Sequence, residues 1–176
     1  MRLLGQLTIA ALIAFSPLAA KAADPIAVQT SANESIPVAD AGFDWSGFYA
    51  GVYGTARATS ANGGRFGAGV DLGANARLEF VLIGGEVAIE GLGGGADTIY
   101  GQAVGRAGIM LSDNLALYGA AGLGTDFGAE SDALFGGGLE LAAADNFSID
   151  ARYLHGAPMS GANTKDQVTI GANFHF

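Results

Sequence analysis

The chain has 176 residues, of which 50 % are hydrophobic and only 14 % charged, with 29 glycines and no cysteine. A formal net charge of −9 without any basic cluster argues against nucleic-acid binding. The apolar fraction is too high for a disordered chain, the glycines lack the three-residue period of collagen, and the absent thiols suit an oxidising compartment.

The N-terminus reads as a secretory signal over residues 1–22. Arg2 supplies the positive end, Leu7 to Ala20 the apolar stretch, and Ala20-Lys21-Ala22 a small-x-small cleavage site. The stretch falls short of the ~20 residues that a spanning helix needs. No later segment is long and apolar enough to cross a membrane as a helix, so any crossing must use strands. Residues 23–44 are polar, contain Pro25 and Pro37 and show no periodicity, as expected of a flexible periplasmic lead-in.

From Trp45 to Phe176 the pattern changes to segments of about ten residues with small or apolar side chains at alternate positions. Eight are expected, at Ser46–Ala58, Arg65–Ala74, Phe80–Glu90, Thr98–Leu111, Leu115–Thr125, Ala133–Ala142, Phe147–His155 and Gln167–Phe176. Turns are expected at Gly73–Arg77, Ser112–Asn114 and Ala143–Asn146 on one side. Longer connections, Thr59–Gly64, Gly91–Asp97, Asp126–Asp132 and Gly156–Asp166, fall on the other. The fold class is therefore all-β: an eight-stranded antiparallel up-and-down transmembrane β-barrel over residues 45–176.

Charge placement supports this reading. Val81, Ile83, Val87 and Ile89 share one face while Glu86 and Glu90 share the other. The same parity sets Phe66, Val70 and Leu72 against Arg65 and Asp71, and Ile99, Ala103, Ala107 and Ile109 against Gln102 and Arg106. A soluble sandwich or a lipocalin-like barrel would carry charges on its outer strand face, and this chain has too few basic residues for that.

The parity assigns Arg57, Asp71, Glu86, Glu90, Arg106, Glu140, Asp150 and Arg152 to the lumen. Eight strands leave an interior just wide enough for side chains, and buried charges are costly unless paired. Arg57, Arg106 and Arg152 are each expected to bridge neighbouring acids. Glycines at 67, 69, 122, 124, 136 and 138 are expected either to make room for Tyr49, Tyr53 and Tyr118 or to leave water-filled space in the lumen. Trp45, Phe48, Phe147, Phe174 and Phe176 are expected near the periplasmic interface, and Phe66 and Phe135 near the outer one. Phe80 falls on the polar face by parity, so it lies in a turn or its strand begins later.

The run Asp44-Trp-Ser-Gly-Phe-Tyr-Ala-Gly-Val-Tyr53 resembles the opening strand of small outer-membrane β-barrel proteins of alphaproteobacteria, often labelled outer-membrane immunogenic or porin-family proteins. The resemblance continues through Ile83-Gly-Gly-Glu-Val-Ala88, Gly105-Arg-Ala-Gly108, Gly136-Gly-Gly-Leu-Glu140, Asp145-Asn-Phe-Ser148 and Ala151-Arg-Tyr-Leu154. It implies a cell outer-membrane location and a C-terminal signal, Phe174 and Phe176, read by the barrel-assembly machinery. The outer loops are shorter than is usual in that group, which weighs against adhesive or antigenic roles that depend on long loops.

Three functional classes follow. The first is a structural barrel of the envelope with no catalysis and no cofactor, whose partners are outer-membrane lipid and lipopolysaccharide, the barrel-assembly machinery and periplasmic chaperones. The second is a narrow porin-like pore with slight cation preference, since the eight lumen charges comprise three cations and five carboxylates. The third is a lipid-modifying outer-membrane enzyme. It would have to use His155 and Ser160 with Asp150 or Asp166, but Ala157 stands where lipid A deacylases typically place the serine. Two distant histidines and no cysteine offer no metal site.

Overall fold

The computed structural model describes residues 42–60, 63–93, 98–127 and 130–176; the expected signal and all but the end of the lead-in lie outside these. Eight strands follow one another: β1 (Gly47–Thr59), β2 (Gly63–Leu78), β3 (Val81–Gly93), β4 (Thr98–Ser112), β5 (Leu115–Thr125), β6 (Ser131–Ala144), β7 (Phe147–Ser160) and β8 (Lys165–His175). Each pairs antiparallel with the next, and β1 closes on β8 from Tyr49↔His175 to Thr59↔Lys165. Closure matters because it leaves no strand edge with unmet N–H and C=O groups, the condition for placing a sheet in hydrocarbon.

Alternation sorts the side chains onto two faces. Phe48, Val52, Phe66, Val70, Leu72, Ile83, Val87, Ile89, Ile109, Leu117, Leu139, Ile149 and Ile170 point outward and are exposed. Most of the polar and charged strand residues point inward and are buried. In water this arrangement would be inverted; in a bilayer it places the greasy belt against acyl chains. Spanning barrels of this kind are outer-membrane structures, and that is where this architecture belongs. The two termini of the barrel share one end with the two-residue turns Glu79-Phe80, Asp113-Asn114 and Asp145-Asn146, which marks that end as periplasmic.

Several boundaries differ from the sequence expectation. Gly73–Arg77 is not a turn but the interior of β2, and the chain reverses at Glu79-Phe80. Glu79 takes a left-handed backbone there (φ 57°), and its carbonyl accepts a hydrogen bond from Arg77 Nε at 2.9 Å. Phe80, which fits neither face, is a turn residue. At the other end the strands run longer than expected. β7 continues through Pro158 to Ser160 by a bulge: Asp132 faces Pro158 while the adjacent Ser131 faces Ser160. A bulge is one of the few places where a strand tolerates proline.

Candidate functional site

The lumen is the candidate site, and it is built in tiers. Inward positions alternate along every strand, so neighbouring strands stack their polar side chains at matched heights. Tyrosines interlock with glycines across the interior: a Cβ on Gly73 would lie 2.2 Å from Tyr49 Cζ, and one on Gly124 would lie 2.0 Å from the Tyr100 hydroxyl oxygen. Those two sites must be glycine for the rings to fit.

At the upper, extracellular tier Arg57 pairs with Glu90, and Gln167 ties the two together. Its Oε1 accepts from Arg57 Nη2 and its Nε2 donates to Glu90 Oε2, both at 2.9 Å. The Arg57 guanidinium lies 3.8 Å from the centre of the Tyr100 ring. Tyr100 donates its hydroxyl to Asp132 Oδ2 at 2.9 Å, and Lys165 Nζ meets the same oxygen at 2.7 Å and Glu130 at 3.2 Å. Asp132 and Lys165 fall in expected loops by sequence reasoning, yet the longer strands bring both into the lumen. Continuing the inward parity of Gln167 and Leu134 two residues outward would have found them.

In the middle, Arg152 Nη1 meets Glu86 Oε1 at 2.7 Å, Tyr49 donates its hydroxyl to Glu86 Oε2 at 2.9 Å, and Tyr118 donates to Asp150. Beside them Val104, Tyr118, Ala120, Leu134 and Leu154 form an apolar lining. Asp71 is buried here, and one of its carboxylate oxygens has no protein donor.

In the lower tier Arg106 Nη1 meets Glu140 Oε2 at 2.9 Å and its Nε donates to Asn75 Oδ1 at 3.0 Å. Glu140 also accepts from Ser148 Oγ at 2.6 Å and Asn173 Nδ2 at 3.2 Å, with His175 Nε2 3.5 Å away. Each of the three expected arginine bridges is thus present. Among the described residues the buried lumen charges comprise Arg57, Arg106, Arg152 and Lys165 against Asp71, Glu86, Glu90, Asp132, Glu140 and Asp150.

Below this tier the interior turns apolar. Trp45, expected at the lipid interface, is fully buried inside the periplasmic mouth with Phe43, Leu82 and Ala116. Its indole N–H donates to the Asp113 carbonyl at 2.9 Å, and Phe43 packs edge-on against both Trp45 and His175. The end of the expected flexible lead-in therefore forms a stopper. The physical reason is parity: Phe43 and Trp45 share the inward phase of Tyr49 and Tyr53, and an indole with a carbonyl partner is better buried than left half-exposed. The other expected interface aromatics, Phe48, Phe66, Phe135, Phe147, Phe174 and Phe176, do point outward.

Of the residues considered for catalysis, His155 and Asp166 come together, while Ser160 and Asp150 stay apart from them. His155 Nδ1 lies 2.8 Å from Asp166 Oδ1 on the outer face, and Tyr153 donates to the same oxygen at 2.6 Å. Asp150 is on the opposite, inner face. Ser160 sits five residues along β7 from His155, roughly 16 Å away at ~3.3 Å per residue. Its Oγ accepts from Ser131 N at 2.9 Å. The next outward position after His155 is Ala157, which cannot act as a nucleophile. No group of three or more His, Cys, Asp or Glu residues suited to a metal occurs among the described residues.

No protein-family model and no curated protein matches the chain. Solved structures do. The attachment invasion locus protein Ail of Yersinia pestis aligns at 18 % identity and a TM-score of 0.55, over 74 % of this chain and 97 % of its own. Ail in complex with the heparin analogue sucrose octasulfate aligns at 17 % and 0.53 over the same shares. The N-terminal β-barrel domain of Pseudomonas aeruginosa OprF aligns at 13 % and 0.51, over 73 % of this chain and 99 % of its own. At these identities the likeness is one of fold: a small eight-stranded outer-membrane barrel.

Proposed function

We propose that this protein is a structural barrel of the bacterial outer membrane, non-conducting and non-catalytic, akin to the small alphaproteobacterial immunogenic or porin-family barrels. The observation that carries the reading is the filling of the lumen. Three arginine–carboxylate pairs occupy successive tiers, and the Phe43–Trp45 stopper underlies them. An ion moving through would have to break buried pairs whose separation costs several kcal/mol each, about 3–5 by the usual measure of a buried pair losing one partner. Its partners are outer-membrane lipid and lipopolysaccharide on the belt, and the barrel-assembly machinery and periplasmic chaperones before insertion; Phe174 and Phe176 supply the assembly signal.

The test is electrical recording of the refolded full chain in a planar bilayer. The structural reading expects no discrete steps. Stepwise cation-selective current that changes in Glu86→Gln or Glu90→Gln would overturn it in favour of a pore, the reading that the acid excess of the lumen supports. Overexpression is expected to leave the lipid A profile unaltered; a profile that changes, and reverts in His155→Ala, would establish an enzyme.

A further inference from the structure

Among the described residues the outer wall carries several shallow apolar grooves, and one of them is shaped by a loop residue with a left-handed backbone. On the extracellular third of the β4–β5 face lies a groove of about 570 Å3, floored by Gly101 and Ala103 and walled by Leu123, Thr125, Phe127 and Met159. No charged side chain lines it. Its volume lies within the ~300–1,000 Å3 usual for small-molecule sites.

Phe127 shapes this groove. It takes a left-handed backbone (φ 57°), which a bulky residue rarely adopts. Thr125 and Asp126 hold it there: Thr125 Oγ1 accepts from Phe127 N at 3.2 Å and donates to Glu130 O at 3.1 Å, and Asp126 Oδ1 accepts from Glu130 N at 3.1 Å. The ring then lies back over the outer wall. A Cβ on Gly101 would come within 2.6 Å of Phe127 Cζ, so the ring's position demands glycine beneath it. A loop aromatic is thus bent down over a floor of minimal residues while its other face stays exposed, as do Leu123 and Met159.

We propose that this groove seats one acyl chain of lipopolysaccharide in the outer leaflet. Three observations select that occupant. The groove opens sideways onto the apolar belt, so whatever fills it comes from the bilayer. Its lining is mainly apolar and suits methylenes, with Gln102, Thr125 and Ser131 its polar members and no charged side chain. It begins at the extracellular rim, beside the loop end of β5, and so at the level of the outer leaflet. The inference rests on the outer-membrane placement of the barrel and is independent of whether the lumen conducts.

The experiment is photocrosslinking in cells of the full chain carrying a benzophenone side chain in place of Met159, with a second version carrying it in place of Phe48 at the periplasmic end. Position 159 is expected to yield lipopolysaccharide adducts and position 48 phospholipid adducts. Filling the floor with Ala103→Phe should cut the adduct at 159 about tenfold, since the ring takes the space of the acyl methylenes. Ala56→Phe, on the outer face of β1, should leave it unchanged. Phe127→Ala gives the same loss without adding bulk, so a folding defect in Ala103→Phe cannot hide the answer; folding is read from the gel shift of the unheated barrel. Equal yields with the floor filled, predominantly phospholipid at 159, or a crosslink to a second copy of the chain would each overturn the proposal. Absence of the protein from the outer-membrane fraction would instead overturn the placement on which it rests.

Discussion

The two ends of the lumen are closed by opposite chemistry. The periplasmic end is shut by packing: Phe43 and Trp45 fold back over Leu82 and Ala116 and against His175. The extracellular end is filled by charge, with Arg57, Glu90, Asp132 and Lys165 knitted together by Gln167 and Tyr100. Packing closes a mouth with few polar groups to satisfy, here the Trp45 indole, which donates to Asp113, and His175 Nδ1, which has no protein partner. Paired charge closes it only while each partner remains, but tolerates the water that enters from a rim. The upper end, where Glu130 is still partly exposed, suits the second device; the lower end, where the chain enters the barrel, suits the first.

The contrast can be broken in graded steps. Glu140→Ala, just above the stopper, should have the largest effect. It strands Arg106 and removes the acceptor of Ser148 and Asn173, for a loss of about 3–5 kcal/mol in reversible urea unfolding from bilayers. Trp45→Ala should cost about 3 kcal/mol by leaving a cavity in the lower mouth. If the tiers above are the true barrier, that variant still conducts nothing; steady current from Trp45→Ala alone would show that the stopper is the gate. Val87→Arg, on the belt at mid-strand, should destabilise by about 2–4 kcal/mol in bilayers, and an unaffected variant would contradict the inside–outside assignment. At the upper end Glu130→Gln should cost only about 1 kcal/mol, because Glu130 is partly exposed and Lys165 keeps its buried partner Asp132. A loss as large as that of Glu140→Ala would erase the proposed difference between the ends. Smallest of all, Asp71→Asn should change stability by about 1 kcal/mol or less, in the stabilising direction, since it removes a buried charge with an oxygen that lacks a protein donor; a clear destabilisation would mean that the carboxylate has a role the tiers do not account for.

The parity of each strand was readable without coordinates because lipid on one side and a crowded lumen on the other both punish a misplaced charge. Hence Glu86 and Glu90 against Val87 and Ile89, or Arg106 against Ala107, announce their faces. Strand ends were not so readable. Beyond the hydrocarbon layer either face tolerates polar residues, so Asp132 and Lys165 looked like loop residues. Glycine blurred the boundary at Gly73–Arg77, where close approach of Tyr49 rather than a turn accounts for the Gly73. Trp45 is ambiguous in the sequence because an aromatic near a strand end is equally at home in headgroups or in a barrel mouth.

By itself, then, the order of residues determined a period of two, which side of each strand holds the charges, and how many times the chain must cross. It did so through local rules: alternation, the expense of ions in hydrocarbon, and the need of every backbone amide for a neighbour. Only the tertiary structure decided which cation meets which acid, that the chain's entry segment corks the periplasmic mouth, and that Phe127 folds down over Gly101. Those outcomes depend on register and strand tilt around a closed ring, which bring together residues far apart in sequence at heights that no local pattern encodes.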